Sequence, residues 1–130
     1  SPETGANYHI LRKLKQRIKL IKDIRAFGNF KQEIKKCHLV IDGIFGIGIK
    51  GKLDEFYQRI FSLLNSSRIP ILALDIPSGL DADTGRPLGG AVQAARTVTF
   101  GLLKKGLVKK ETRRFTGKII IGDISLPKII

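Results

Sequence analysis

Two stretches of this chain share one design: an apolar run that ends in an aspartate and breaks into a glycine-bearing turn. Leu39–Lys52 reads LVIDGIFGIGIKGK, and Pro70–Gly85 reads PILALDIPSGLDADTG. Short apolar runs bounded by turn signals suit the buried strands of a parallel sheet. In open sheets of that kind, ligands bind in the crevice outside the carboxyl ends of the strands. The pattern therefore predicts that Asp42 and Asp75 stand at one functional edge, where the glycine loop and a lysine converge on them.

The rest of the chain supplies the elements such a sheet needs. Asp54–Ser67 predicts a helix: Asp54 and Glu55 favour its positive end, and Phe56, Tyr57, Ile60, Phe61, Leu63 and Leu64 line one side as core. Asn7–Lys22 carries Tyr8, Leu11, Leu14, Ile18 and Ile21 at spacings of three and four, which predicts an amphipathic helix with a basic outer face. A shorter helical stretch, Phe30–Lys36, leads into a strand at Leu39–Ile41. Further strands are expected at Ile71–Leu74, Thr97–Phe100 and Lys118–Ile121, with a loop at Gly85–Gly90 and a single turn at Ala91–Ala95. Strand, helix, strand is the crossover unit of a parallel sheet, and its hand is right. The expected fold class is α/β: a Rossmann-like three-layer α/β/α sandwich with a mainly parallel sheet, four strands of which lie in this chain, so that the sandwich is incomplete.

Composition narrows the function classes. A chain of 130 residues, 42% hydrophobic, suits one domain with a core. The single Cys37 excludes an internal disulfide and reads as a small buried residue before a strand; with two histidines it leaves no zinc cluster. No apolar run reaches the ~18 residues of a membrane span, and no signal-peptide pattern opens the chain, so no membrane partner is expected and the cytoplasm is the default location. The net charge of +13 raises nucleic acid as a partner. Leu11–Lys36 holds ten basic residues against two acidic ones, and Lys104–Lys118 holds seven against Glu111. Phe115 is the one aromatic residue in that second cluster, which is poor for stacking single-stranded bases. A solvated lysine-rich surface is the preferred reading.

The residues after each strand carry the chemistry. Gly46, Ile47, Gly48, Ile49, Lys50, Gly51 and Lys52 let a backbone approach a ligand closely, with N–H groups and two ammonium groups for an anionic diphosphate; the bland alternative is a tight strand-to-helix loop. Asp75 alone suits a turn, but as the second strand-end carboxylate it is the candidate for acid/base work. Asp42 and Ser78 supply hard oxygens of the kind an alkali or alkaline-earth cation takes. Asp81 and Asp83 lack the further ligands of a calcium loop and read as turn and capping residues.

In order and spacing, DGIFGIGIKG, ALDIPSGLDADTG, AVQAARTVTFG and TGKIIIGDISLP resemble the C-terminal part of the YjeF N-terminal domain, the NAD(P)H-hydrate epimerase family. The likeness runs from about Ala6 to Pro127, and DIPSGLDADTG is its most specific word. The family's domain opens with a phosphate loop of the form GNNGGDG, which has no counterpart here, so residues 1–130 are expected to be the C-terminal portion of such a domain. The resemblance implies an isomerase of metabolite repair that interconverts the R and S forms of hydrated NADH and NADPH, the nucleotide being substrate. It implies one potassium ion (K+) per subunit on Asp42 and Ser78, with a further asparagine ligand of the phosphate loop lacking here. It implies substrate contacts from Gly46, Ile47, Gly48, Ile49, Lys50, Gly51, Lys52 and Asp75; Asp75 is the catalytic acid/base candidate, and Lys50, where some relatives place a lysine near the substrate, is the second catalytic candidate, either sharing in proton transfer or neutralising phosphate. Ile47 departs from the hydroxyl residue often found in relatives. The family is often fused to an ADP- or ATP-dependent hydrate dehydratase. A sandwich without its first portion is expected to be completed by self-association into a homo-oligomer or by a companion chain, and to show little activity alone. The alternatives are a binding module of the same family, scaffolding RNA or protein without catalysis, and an inactive structural fragment.

Overall fold

A computed structural model describes residues 2–23, 25 and 27–125. The end of the last motif, Leu126 and Pro127, lies outside the described residues. Along the chain come α1 (Pro2–Lys13), α2 (Phe27–Ile34), β1 (Val40–Asp42), α3 (Glu55–Ser66), β2 (Ile71–Leu74) and β3 (Arg96–Phe100). Two 3-10 turns, a short α4 (Arg113–Thr116) and β4 (Lys118–Gly122) follow. The four strands form one sheet in the order β1-β2-β3-β4, every pair parallel. Chain order and sheet order coincide, so each crossover advances the sheet by one strand.

Register sorts the side chains. Asp42 pairs with Ala73, Ala73 with Thr97, and Thr97 with Ile119, which places these residues on one face with Val40, Ile71 and Thr99. That face is covered. Ile34 of α2, Ile60, Phe61 and Leu64 of α3, Ile71 and Val92 make one buried cluster, and Ile76, Leu80, Ala91, Leu107 and Phe115 make a second. The aromatic and aliphatic side of α3 thus faces the core as its periodicity predicts. Asp54 caps this helix by accepting from the Tyr57 N–H at 3.2 Å.

The other face carries Ile41, Leu72, Leu74, Val98, Phe100 and Ile120, and no element among the described residues packs over it. Ile41 is 61% exposed, and Leu74, Phe100 and Ile120 each between 37% and 38%. Parallel sheets are normally covered on both faces, so two of the three expected layers are present. The outer edge of β1 is likewise unpaired among the described residues, with Leu39 exposed beside it.

Two expectations are corrected. The first helix is Pro2–Lys13 and has no buried residue; Leu11 and Leu14, expected to face a core, are exposed. Lys15 turns to φ 54°, the left-handed conformation that ends helices, so Ile18 and Ile21 never join the stripe. Periodicity defines an apolar face but does not supply a partner for it. Cys37 is exposed rather than buried, its thiol lying 3.5 Å from the Glu33 carbonyl at the end of α2. No helix among the described residues is long and apolar enough to cross a membrane.

Candidate functional site

β1 ends on Asp42, which is 1% exposed, and the turn after β2 brings Ser78 against it. The Ser78 hydroxyl donates to Asp42 Oδ1 at 2.6 Å, the Ser78 N–H to Oδ2 at 2.8 Å, and the Ile44 N–H to Oδ1 at 3.3 Å. Ser78 Oγ in turn accepts from the Phe45 N–H at 2.9 Å. The serine thereby clips the glycine loop to the β2 turn. Burying a carboxylate costs several kcal/mol unless charge or hydrogen bonds compensate, and among the described residues no basic side chain pairs with Asp42. The three donors leave about one of the roughly four acceptor sites of a carboxylate open. A buried carboxyl oxygen with a hydroxyl beside it and, among the described residues, no basic side chain paired to it fits a hard cation, which needs further ligands than these two. No group of three or more His, Cys, Asp or Glu able to hold a metal occurs among the described residues. Ser78→Ala should cost about 1–3 kcal/mol, since it strips the hydroxyl donor from a buried carboxylate and the acceptor from Phe45. Urea unfolding checks this, and an unchanged midpoint would show that the clip adds nothing to stability.

Asp75 follows β2 directly. Its backbone has φ 68°, and its N–H still donates to the Val98 carbonyl at 2.7 Å, so the ladder holds while the side chain swings toward the end of β3. Oδ1 accepts from the Phe100 N–H at 3.1 Å, from the Thr99 hydroxyl at 3.3 Å and from the Lys104 ammonium. Among the described residues, Oδ2 accepts no hydrogen bond. Partial burial resists charge on this carboxyl, but the Lys104 hydrogen bond, the Phe100 N–H, the Lys104 charge and Thr99 outweigh it and hold its pKa below the ordinary value. Asp75 is therefore ionised at neutral pH. Because the folded pKa is depressed, the pair's contribution to stability is complete above the ordinary carboxylate range and is lost as pH falls through and below it.

The glycine loop is open. Gly46, Ile47, Gly48, Lys50, Gly51 and Lys52 are exposed and Ile49 is half-buried. A Cβ at Gly46 or Gly48 would meet nothing within 4 Å, so the chain's own packing does not require glycine at either position. Space is left for something outside the chain. Lys50 forms no hydrogen bond or ion pair with Asp75 among the described residues; the lysine that reaches Asp75 is Lys104. Sequence reasoning missed Lys104 because its one signal was membership of the second basic cluster. Asp81 behaves as the turn residue expected: its Oδ1 accepts from the Thr84 N–H and hydroxyl, both at 2.7 Å, and from the Asp83 N–H at 3.1 Å. Those Thr84 bonds lower its pKa.

The site thus joins a buried Asp42–Ser78 clip, an ionised Asp75 with one oxygen unbonded among the described residues, and an exposed glycine loop after the neighbouring strand. Residues 1–106 match the family described as YjeF-related protein N-terminus. The chain is 40% identical over 90 residues to the NAD(P)H-hydrate epimerase of Limosilactobacillus fermentum, covering 69% of this chain and 43% of that one. It is 35% identical over 117 residues to the bifunctional NAD(P)H-hydrate repair enzyme Nnr of Dictyoglomus turgidum, covering 88% and 23%. The crystal structure of the yeast protein YNL200c superposes with a TM-score of 0.63 at 27% identity, covering 76% of this chain and 41% of that one. The chain spans less than half the length of each of these three proteins. With the strand-end aspartates, the clip and the loop in place, and the match extending over most of its length, the chain belongs to the YjeF-related protein N-terminus family.

Proposed function

We propose that residues 1–130 form the C-terminal portion of an NAD(P)H-hydrate epimerase domain, which interconverts the R and S forms of hydrated NADH and NADPH. The observation that carries this reading is an ionised Asp75 at the end of β2, whose Oδ2 accepts no hydrogen bond among the described residues, with the exposed glycine loop following the neighbouring strand β1. The names of the relatives support the substrate class. Epimerisation at the hydrated carbon requires a proton to leave and return. Asp75 takes the proton of the carbon's hydroxyl as the ring C–N bond opens to an aldehyde; the ring nitrogen keeps the bond's electron pair and receives that proton, and the transfers reverse when the nitrogen closes on the other face of the aldehyde. No electrons are gained or lost. Gly46, Ile47, Gly48, Ile49, Gly51 and the ammonium groups of Lys50 and Lys52 meet the diphosphate of the nucleotide. Lys50 is the second candidate for proton transfer.

Asp42 and Ser78 would hold a potassium ion, one per subunit, which would supply positive charge at the strand ends. The chain works in the cytoplasm. Its bare sheet face, apolar at Ile41, Leu74, Phe100 and Ile120, is covered by self-association or by a companion chain that completes the domain.

The test is chromatographic interconversion of the separated S and R hydrates with potassium present or replaced, run on an assembly whose sedimentation shows the chain associated. Potassium-dependent interconversion is the expected result. The second reading, an RNA or protein scaffold, is favoured by the exposed Lys105, Lys109, Lys110, Arg113, Arg114 and Lys118, which form no ion pairs among the described residues. No interconversion, together with RNA binding that weakens steeply with salt, would replace the enzymatic reading by that one.

A further inference from the structure

Lys104 lies outside every motif in the sequence, in the segment between β3 and the first 3-10 turn. Its side chain is 17% exposed, unusually enclosed for a lysine on a chain of this charge. An ammonium group has three donors and no acceptor, and all three are engaged: one on Asp75 Oδ1, one on the Thr99 hydroxyl at 3.0 Å, and one on the Phe100 carbonyl at 3.0 Å. Thr99 itself donates to the same Asp75 oxygen at 3.3 Å. The four groups form a closed polar network joining the ends of β2 and β3.

That network has a directional result. Every hydrogen bond that the network gives to Asp75 falls on Oδ1, and Oδ2 is left without a partner among the described residues. Asp75 also holds a left-handed backbone, φ 68°, which is uncommon for a residue with a side chain, although aspartate is among those that tolerate it best. Such a conformation persists where surrounding contacts over-determine it. Without a cation at Oδ1 the carboxylate would be held by the Phe100 N–H at 3.1 Å and the Thr99 hydroxyl at 3.3 Å alone, against a terminal torsion that is broad for aspartate.

We infer that Lys104 is the positioning residue of Asp75: it fixes the carboxylate by Oδ1 so that Oδ2 alone faces the reacting hydroxyl. The inference rests on the epimerase reading for what Asp75 does, and on geometry alone for how Asp75 is held. It assigns Lys104 no contact with substrate.

The test uses Lys104→Met, which keeps the length and apolar stem, and Lys104→Arg, which restores the cation. In the epimerisation assay Lys104→Met should lower kcat by about 10²-fold, the loss typical of a misplaced catalytic group, with KM within about twofold, and Lys104→Arg should recover most of it. A merely structural role would move KM with kcat or leave both unchanged, and that outcome overturns the inference. A second readout does not depend on activity. The amide resonance of Phe100, whose N–H donates to Asp75 Oδ1, should shift in Lys104→Met and return toward its original position in Lys104→Arg. An unmoved resonance in Lys104→Met overturns the positioning role whatever the assay gives. A resonance that moves in a protein showing no epimerisation leaves the positioning of Asp75 standing and ends the epimerase reading. If Lys104→Met does not fold, Lys104→Gln, which retains a donor without the charge, is read by the same two measurements.

Discussion

Asp75→Asn is expected to fold and to bind the hydrated nucleotide, yet to lose about 10²- to 10⁴-fold in epimerisation, the range that a positioned acid/base group contributes. The substitution suits the site unusually well. Asparagine is among the few side chains that tolerate the left-handed backbone found here, φ 68°. Its amide oxygen can still accept from the Phe100 N–H and from Lys104, so the network at the end of β3 survives. The proton-accepting oxygen facing outward becomes an NH2 group and takes up no proton. Loss confined to kcat, with substrate affinity kept, identifies Asp75 as acting in the transition state. Turnover comparable to the unaltered protein would move the role elsewhere, with Lys50 the next residue to examine.

The second large effect is on folding. Gly79→Ala should destabilise the protein by about 4 kcal/mol or more, the range reserved for a strained backbone combined with overpacking. Gly79 has φ 92°, and a Cβ there would lie 2.2 Å from the Gly90 carbonyl oxygen, 2.8 Å from the Phe61 ring and 2.9 Å from Ala91 Cα. Two of the three obstacles are backbone and cannot rotate aside. The residue follows Ser78 directly, so any relief of the clash also pulls on the clip to Asp42. Gly48→Ala is the matched control: a Cβ there meets nothing within 4 Å, and the stability should change by no more than about 0.5 kcal/mol. Thermal or urea unfolding of the two variants side by side checks both. Should Gly48→Ala fold normally and still weaken nucleotide binding, the glycine is needed by the ligand rather than the chain; should Gly79→Ala unfold like the unaltered protein, the close packing of the β2 turn is wrong.

Several features were readable from the chain because they are local. Ile71–Leu74 is a strand with the bounds its apolar run suggests, and Asp54 caps α3 from the position its acidity suggests. The strand at Arg96–Phe100 begins one residue before its expected start. The fold class followed from apolar runs alternating with a helical period, a pattern that buried parallel strands impose over a few residues. Asp42 ends β1 and Ser78 lies in the turn after β2, and a parallel sheet brings such segments to one edge.

Other features depended on partners that no local pattern can name. The stripe of Leu11 and Leu14 is real as a pattern, yet helix α1 buries nothing, because burial requires a surface to receive it. Cys37 is exposed for the same reason. Lys104 pairs with a residue 29 positions away, and which of the chain's many lysines would reach Asp75 was settled by where the segment after β3 folds. A chain with 24 lysines and arginines offers every carboxylate a choice of cations. Sequence alone determined which residues carry oxygen, charge and backbone freedom to the edge of the sheet, because those are properties of each residue and its near neighbours. The tertiary structure alone decided which oxygen of Asp75 the network holds, because a hydrogen bond depends on distances of a few ångströms that only the folded chain sets.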